Sequence, residues 1–350
     1  MIRTYDIHQT YEENYRLGPG PDLPQPLDLP KSPVRLFGLN VEFPLGISAG
    51  PLLNARWIDA YARLGYPILT YKTVRSLDRP CYSMPNMIPI EGKPKVYGLD
   101  MDAELQQAES TPQDIERSTW TVSYGMPSTA PEVWMEDVRR AKECLRDGQI
   151  LIVAVVGTPR EGWGLDELFD DYAQCAEWAK EAGADVVEAN LSCPNVTTSE
   201  GQVYRSAKES LDVCSRIRER IGDTPFVVKI GAFSSDDEAR GWLETVAPAI
   251  DGVATLNTLS RTIKRGEEDA FPGRPIAGVT GAGIFEAARE CVAQMVSLRD
   301  ELGIDLTVLG VGGVLNRERF EQMQEAGADA VLVATGAMLM PDLAVRIREA

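Results

Sequence analysis

A (β/α)8 barrel is the fold class this sequence predicts, and three observations carry it. From Pro44 onward, short apolar runs alternate with helical patterns in eight successive units. The runs are near-continuous in apolar residues, as strands buried on both faces of a parallel sheet must be. Glycine-rich segments, with Gly310, Gly312 and Gly313 in one and Gly336 in the other, follow strands seven and eight, where barrels recurrently bind phosphate. A doubly wound open sheet is the alternative, but no G-x-G-x-x-G follows the first strand.

Residues 1–43 are polar, with six prolines between Pro19 and Pro33, and read as an extended N-terminal arm wrapping the main domain, 44–350. The strands are expected at 45–49, 67–74, 150–156, 185–191, 225–230, 252–256, 306–309 and 330–333. Helices are expected at 54–64, 132–147, 166–182, 206–221, 235–249, 283–302, 316–326 and 337–349. Two stretches interrupt the rhythm. Seven prolines between Pro80 and Pro131 mark 75–130 as a long insertion after strand two, of the kind that forms lids and binding loops. The stretch after strand six reads as a glycine-rich loop.

At 350 residues and 44% hydrophobic, the chain can bury a sizeable core. Its 53 acidic and 35 basic residues give a net charge of -18, which repels nucleic acid. The one dense basic cluster, Arg261, Lys264 and Arg265, is too short to override that field and is expected in a solvated loop. Six dispersed cysteines form no ligand-spaced cluster, so no metal is expected. His8, the only histidine, is expected at the surface. No secretory h-region and no run of eighteen apolar residues occurs, so the expectation is a cytoplasmic protein with reduced thiols and no membrane partner.

The strand ends would gather Ser48, Ala49, Gly50, Lys72, Thr73, Asn190, Lys229, Asn257, Thr258 and Thr335 at the mouth, a set rich in amides, lysines and glycines. Gly310, Gly312 and Gly313 let bare backbone N–H groups approach an anion, and Gly336 opens a helix whose N-terminus favours negative charge. Lys72 and Lys229 must each find an anion or an electron-rich heteroatom once buried. A reduced flavin would serve; a neighbouring carboxylate is less expected, because no strand end contributes one, although Glu188 could face inward. Cys193 is the candidate proton acceptor, since an ordinary thiol pKa of about 8.5 is within reach of neutral pH. The other five cysteines are expected to be packing residues.

The run Asn190-Leu191-Ser192-Cys193-Pro194-Asn195 resembles the catalytic loop of flavin-dependent dihydroorotate dehydrogenases, the soluble class 1 enzymes with a cysteine base above all, and of dihydropyrimidine dehydrogenase flavin domains. The likeness spans about residues 44–350, with supporting stretches at Tyr71-Lys72-Thr73, Val228-Lys229-Ile230, Leu256-Asn257-Thr258 and Gly278-Val279-Thr280-Gly281. It implies FMN held by Ala49, Gly50, Lys72, Thr73, Asn190, Lys229, Leu256, Gly281, Gly312, Gly313, Ala334 and Thr335. It implies catalysis by Cys193 and Lys72, with substrate bound by Lys72, Ser123, Tyr124, Gly125, Met126, Asn190, Asn195, Asn257 and Thr258. The partners it implies are a small-molecule substrate, a soluble electron acceptor and a second copy in a homodimer.

One stretch departs from the family pattern. Where soluble dihydroorotate dehydrogenases offer an asparagine before a Ser-x-Gly-Leu-Pro-Asn run, this chain has Val122, then Ser123-Tyr124-Gly125-Met126-Pro127-Ser128. Loss of a buried amide partner discriminates strongly between ligands. The reaction type, oxidation of a dihydropyrimidine, is therefore implied more firmly than dihydroorotate itself; dihydrouracil or another lactam is the alternative. A tRNA dihydrouridine synthase is disfavoured by the acidic balance, and a flavin-retaining sensor by the presence of Cys193 and both lysines.

Overall fold

The computed structural model describes residues 2, 4–91, 104–192 and 199–349, the side chains of 199–201 excepted. Eight parallel strands close on themselves: β1 (Leu45–Leu52), β2 (Ile68–Val74), β3 (Ile150–Val155), β4 (Val186–Asn190), β5 (Phe226–Lys229), β6 (Gly252–Thr255), β7 (Thr307–Val311) and β8 (Ala330–Val333). Val331 opposite Leu45 closes the ring. The predicted barrel is therefore present, with strand and helix order as read from the sequence.

Alternation along the strands divides the apolar residues into two clusters. Ile68, Ile150, Ile152, Val186, Val227, Leu309 and Leu332 form the smaller cluster, inside the barrel. Leu36 and Val41 join it from a hairpin, Val34–Leu36 and Leu39–Val41, which closes the N-terminal end. The larger cluster lies between strands and helices. Gly46 is required on β1, because a Cβ there would stand 2.4 Å from the Ile68 Cβ.

Both interruptions turn out to be structured. Residues 259–265 and 276–281 pair as an antiparallel hairpin, extended by 119–122 and 87–89 on one side and by 268–269 on the other, with 104–106 running alongside 259–265. The expected glycine-rich loop and much of the insertion thus form one cap sheet. This corrects the solvated-loop reading of the basic cluster: Arg261 is 2% exposed, and Lys264 pairs with Asp269 at 2.8 Å. Arg261 is buried among the paired strands and donates to the Ser260 carbonyl at 2.7 Å. The expected final helix, 337–349, is likewise two helices, Thr335–Leu339 and Leu343–Arg348, on either side of Pro341, which cannot donate the helical hydrogen bond.

The arm is tied to the barrel at both of its ends. Its helix, Tyr11–Leu17, starts with a reciprocal capping box between Thr10 and Glu13, and the Arg56 guanidinium holds the carbonyls of Tyr15 and Arg16 at 2.7 and 2.8 Å. Further on, the buried Arg348 donates to the carbonyls of Gly65 (2.6 Å) and Pro30 (2.8 Å) and to the Glu42 carboxylate (3.1 Å). Replacing Arg348 by Met should lower stability by about 3 kcal/mol, since the carboxylate and carbonyls lose their donor. A urea midpoint unchanged from wild type would refute that linkage.

Candidate active site at the barrel mouth

A cavity opens at the C-terminal ends of the strands. Its floor and walls are Ser48, Ala49 and Gly50 from β1, Lys72 and Thr73 from β2, Asn190 from β4, Lys229 from β5, Val311 from β7, and Asn257, Thr258, Ala334 and Thr335 just beyond β6 and β8. The roof is Val122, Tyr124, Gly125, Met126 and Pro127, and the arm adds Tyr5 and Tyr11. Gly125 and Met126 both have positive φ, 75° and 51°, which glycine adopts freely, so the strain in the roof turn falls on Met126. A Cβ at Gly125 would also meet the Tyr82 ring at 2.7 Å.

The two lysines are solved differently. Lys72 Nζ donates to the Pro127 carbonyl and lies 5.0 Å from the centre of the Tyr11 ring. Among the described residues no carboxylate pairs with it, and burial pushes its pKa from the usual lysine range down to about 7. Lys229 Nζ instead lies 3.3 Å from Glu188 Oε1, both groups fully buried. For Lys229 the less expected alternative, an inward-facing Glu188, is the one the structure shows. Glu188 is two residues before Asn190, and alternation turns both inward.

Amides complete the polar set. Asn190 Oδ1 accepts from the Ser192 N–H at 3.2 Å, and Asn257 Nδ2 donates to the Ser192 carbonyl at 2.6 Å. The Thr258 hydroxyl is buried with no hydrogen-bond partner among the described residues. Cys193 and Asn195 lie outside the described residues.

A second, smaller cavity shares Asn257, Thr280, Val311, Ala334 and Thr335 with the first and is otherwise lined by Gly281, residues 312–315, Val333 and Gly336. Among the described residues the backbone N–H groups of Gly312, Gly313, Val314 and Leu315 donate to no protein acceptor. Successive bare amides of this kind fit a phosphate. The turn is held from behind by Arg319, which donates to the Gly313 carbonyl at 2.9 Å, and a Cβ on Gly313 would meet the Phe285 backbone at 2.7 Å.

Most predicted positions converge on these two cavities, and two do not. Leu256 is fully buried and lines neither, its N–H donating to the Val311 carbonyl. Ser123 is 1% exposed and faces away, its hydroxyl and carbonyl both accepting from Arg274. Sequence reasoning missed Tyr5, Tyr11, Pro51, Leu53, Thr280 and Met338. The Thr10-x-x-Glu13 capping signature marks the arm helix that carries Tyr11, but no local pattern shows that this helix covers the mouth. Of the cysteines expected in packing, Cys175 and Cys214 are buried, whereas Cys81, Cys144 and Cys291 are half-buried.

This geometry defines a class: a (β/α)8 barrel with its cavity at the C-terminal mouth, where such barrels carry their active sites, and with unpartnered backbone amides after β7. The family model described as dihydroorotate dehydrogenase matches residues 106–350, and the chain belongs to that family. It is accordingly an oxidoreductase acting on a CH–CH bond. It is 30% identical to a dihydroorotate dehydrogenase of Dictyostelium discoideum over 98% of this chain and 95% of that one. It is 28% identical to a dihydroorotate dehydrogenase (quinone) of Methylibium petroleiphilum over 87% of this chain and 81% of that one. A structure of DHODH in complex with ferulenol from Eimeria tenella shares the fold, with a TM-score of 0.72 and 18% identity over 93% of this chain and 85% of that one. Among the described residues no helix is long and apolar enough to cross a membrane, and no cluster of three or more metal-ligating side chains occurs.

The lowered pKa of Lys72 predicts how stability depends on pH. Folded Lys72 releases its proton near pH 7, whereas in the unfolded chain it stays protonated until about 10.5, so stability rises with pH between those values and is lowest below 7. Lys72→Met should remove that slope. Urea denaturation of both proteins from pH 6 to 10 measures it, and parallel profiles would show that Lys72 is not its source.

Proposed function

We propose that the chain is an FMN-dependent dehydrogenase that oxidises dihydroorotate, or a closely related dihydropyrimidine, to the unsaturated ring. The observation that carries this reading is the adjacency of two cavities with shared walls, one lined by amides and two lysines and the other by unpartnered backbone amides. Family membership supports the reaction type.

When bound, FMN supplies a two-electron hydride acceptor. Gly281, Gly312, Gly313, Ala334 and Thr335 would take its phosphate, while Ala49, Gly50, Lys72, Thr73, Asn190 and Lys229 would border its ring, backed by Leu256. Asn190, Asn195, Asn257 and Thr258 would hold the donor and acceptor edges of the substrate ring. Cys193, the residue after Ser192, would remove the proton from the saturated ring carbon. Lys72 would lie beside the substrate, and its readiness to give up a proton near pH 7 suits it to respond to a substrate carboxylate. Ser123 would act indirectly, by anchoring the roof through Arg274. The electrons leave to a small-molecule acceptor; the quinone named for several relatives is one candidate, and a soluble compound is the other.

A specific observation favours a ring other than orotate's. Val122 and Tyr124 both line the roof, so one edge of the substrate meets an alkyl group and an aromatic ring. Dihydrouracil or another neutral lactam suits that surface. Anaerobic titration with dihydroorotate, dihydrouracil and related lactams, read by bleaching of flavin absorbance, separates these. A protein that takes up no FMN would sink the cofactor assignment, and bleaching by none of the rings would sink the reaction.

Cys193→Ser should retain flavin and slow substrate-driven reduction by about 10²- to 10⁴-fold, the usual contribution of a positioned general base. Stopped-flow reduction rates measure it. A rate within twofold of wild type would remove Cys193 from that role.

A further inference from the structure

Glu188 is fully buried inside the barrel and has so far been given only a partner. One carboxylate oxygen lies 3.3 Å from Lys229 Nζ, and the other has no hydrogen-bond partner among the described residues. A carboxylate this poorly satisfied does little for stability, because desolvation offsets the attraction within a buried pair. Its position points to another purpose: it sits directly beneath Lys229, which lines the cavity, and out of contact with the cavity itself. We propose that Glu188 is a positioning residue that holds the Lys229 ammonium toward the mouth, so that the site carries a positive charge there.

Lys72 shows what happens without such a partner. It too is buried, its Nζ has only a carbonyl acceptor among the described residues, and its pKa falls to about 7. Among the described groups facing Lys229 none could take over from Glu188: Asn190 beside it on β4 carries no charge, Lys72 across the cavity from β2 is a second base, and Tyr5, Tyr11 and Tyr124 above are neutral phenols. β6, its other neighbour, contributes Gly252, Val253 and Ala254 opposite it, none of them titratable.

The inference rests on the flavin reading, because a bound flavin is what would sense the charge of Lys229. Sulfite is a suitable probe: its lone pair forms a bond to oxidised flavin N5, the displaced electron pair settles on the ring as negative charge, and a nearby cation tightens the adduct. The experiment measures sulfite Kd from pH 6 to 9 for wild type, Glu188→Gln and Glu188→Gln/Lys229→Met, each loaded with FMN. The ratio of variant to wild-type Kd cancels the titration of sulfite. For Glu188→Gln the ratio should rise at least tenfold from pH 6 to 9, and the rise should vanish in the double variant. Glu188→Asp, which keeps the charge, should give a flat ratio. A flat ratio in Glu188→Gln, or a rise that persists in the double variant, overturns the proposal while leaving the flavin reading intact. A wild type that binds no FMN overturns both. Should Glu188→Gln fail to hold flavin, recovery of flavin in the double variant supports the pairing, and failure to recover it refutes it.

Discussion

Two ammonium groups buried at one end of a closed barrel are the constraint on which the site depends. Neither can remain ionised in an apolar strand layer without compensation. The barrel supplies a carboxylate for one, Glu188 on the strand adjacent to Lys229, and a carbonyl for the other, Pro127 on the roof turn. The second solution requires the roof to exist. Lys72 can be satisfied in this way only if residues 125–127 hold a turn with two consecutive positive φ values directly above β2.

That turn is held by several independent ties. Arg75, at the end of β2, donates to the Met126 carbonyl at 3.0 Å, to the Gly157 carbonyl at 3.0 Å and to the Thr158 hydroxyl at 3.1 Å, joining the roof to the loop after β3. Arg274, beyond the central cap strand, grips Ser123 and the carbonyl of Ser83 from the opposite side. Thr280 on the cap sheet shares a 2.7 Å hydrogen bond with Thr335 at the end of β8. Strain at Met126 is tolerated because the surroundings over-determine the loop.

The barrel was legible because its signal is local and repeated. Six of the eight strands are buried at every residue, and the departures at strand ends, Lys72, Asn190 and Lys229, stand out against the apolar runs. The cap sheet was not legible, because its strands come from two stretches some 140 residues apart and are short or bounded by proline, so that each alone reads as loop. Trp120 and Thr121 make sense as strand residues only against Val279 and Thr280. Arg261 illustrates the resulting error: three basic residues in seven positions suggest solvent, and only the paired sheet around Arg261 buries it. Glu188 marks the intermediate case, since alternation allowed it to face inward while distance alone identified its partner.

Chemistry and selectivity are therefore assigned to different layers that share one contact. The floor, made by β1 to β8, presents lysines and amides whose positions follow from strand alternation and cannot drift without unpicking the barrel. The roof, made by the insertion and the hairpin after β6, presents Val122, Tyr124 and Met126 and can be rebuilt by changes that leave the strands untouched. Lys72 crosses between the two layers: its backbone belongs to β2 and its ammonium to the roof carbonyl. A substitution that moves residues 125–127 will consequently alter the hydration of Lys72 and with it the charge at the mouth, so that the shape of the roof and the protonation of Lys72 are coupled through a single hydrogen bond.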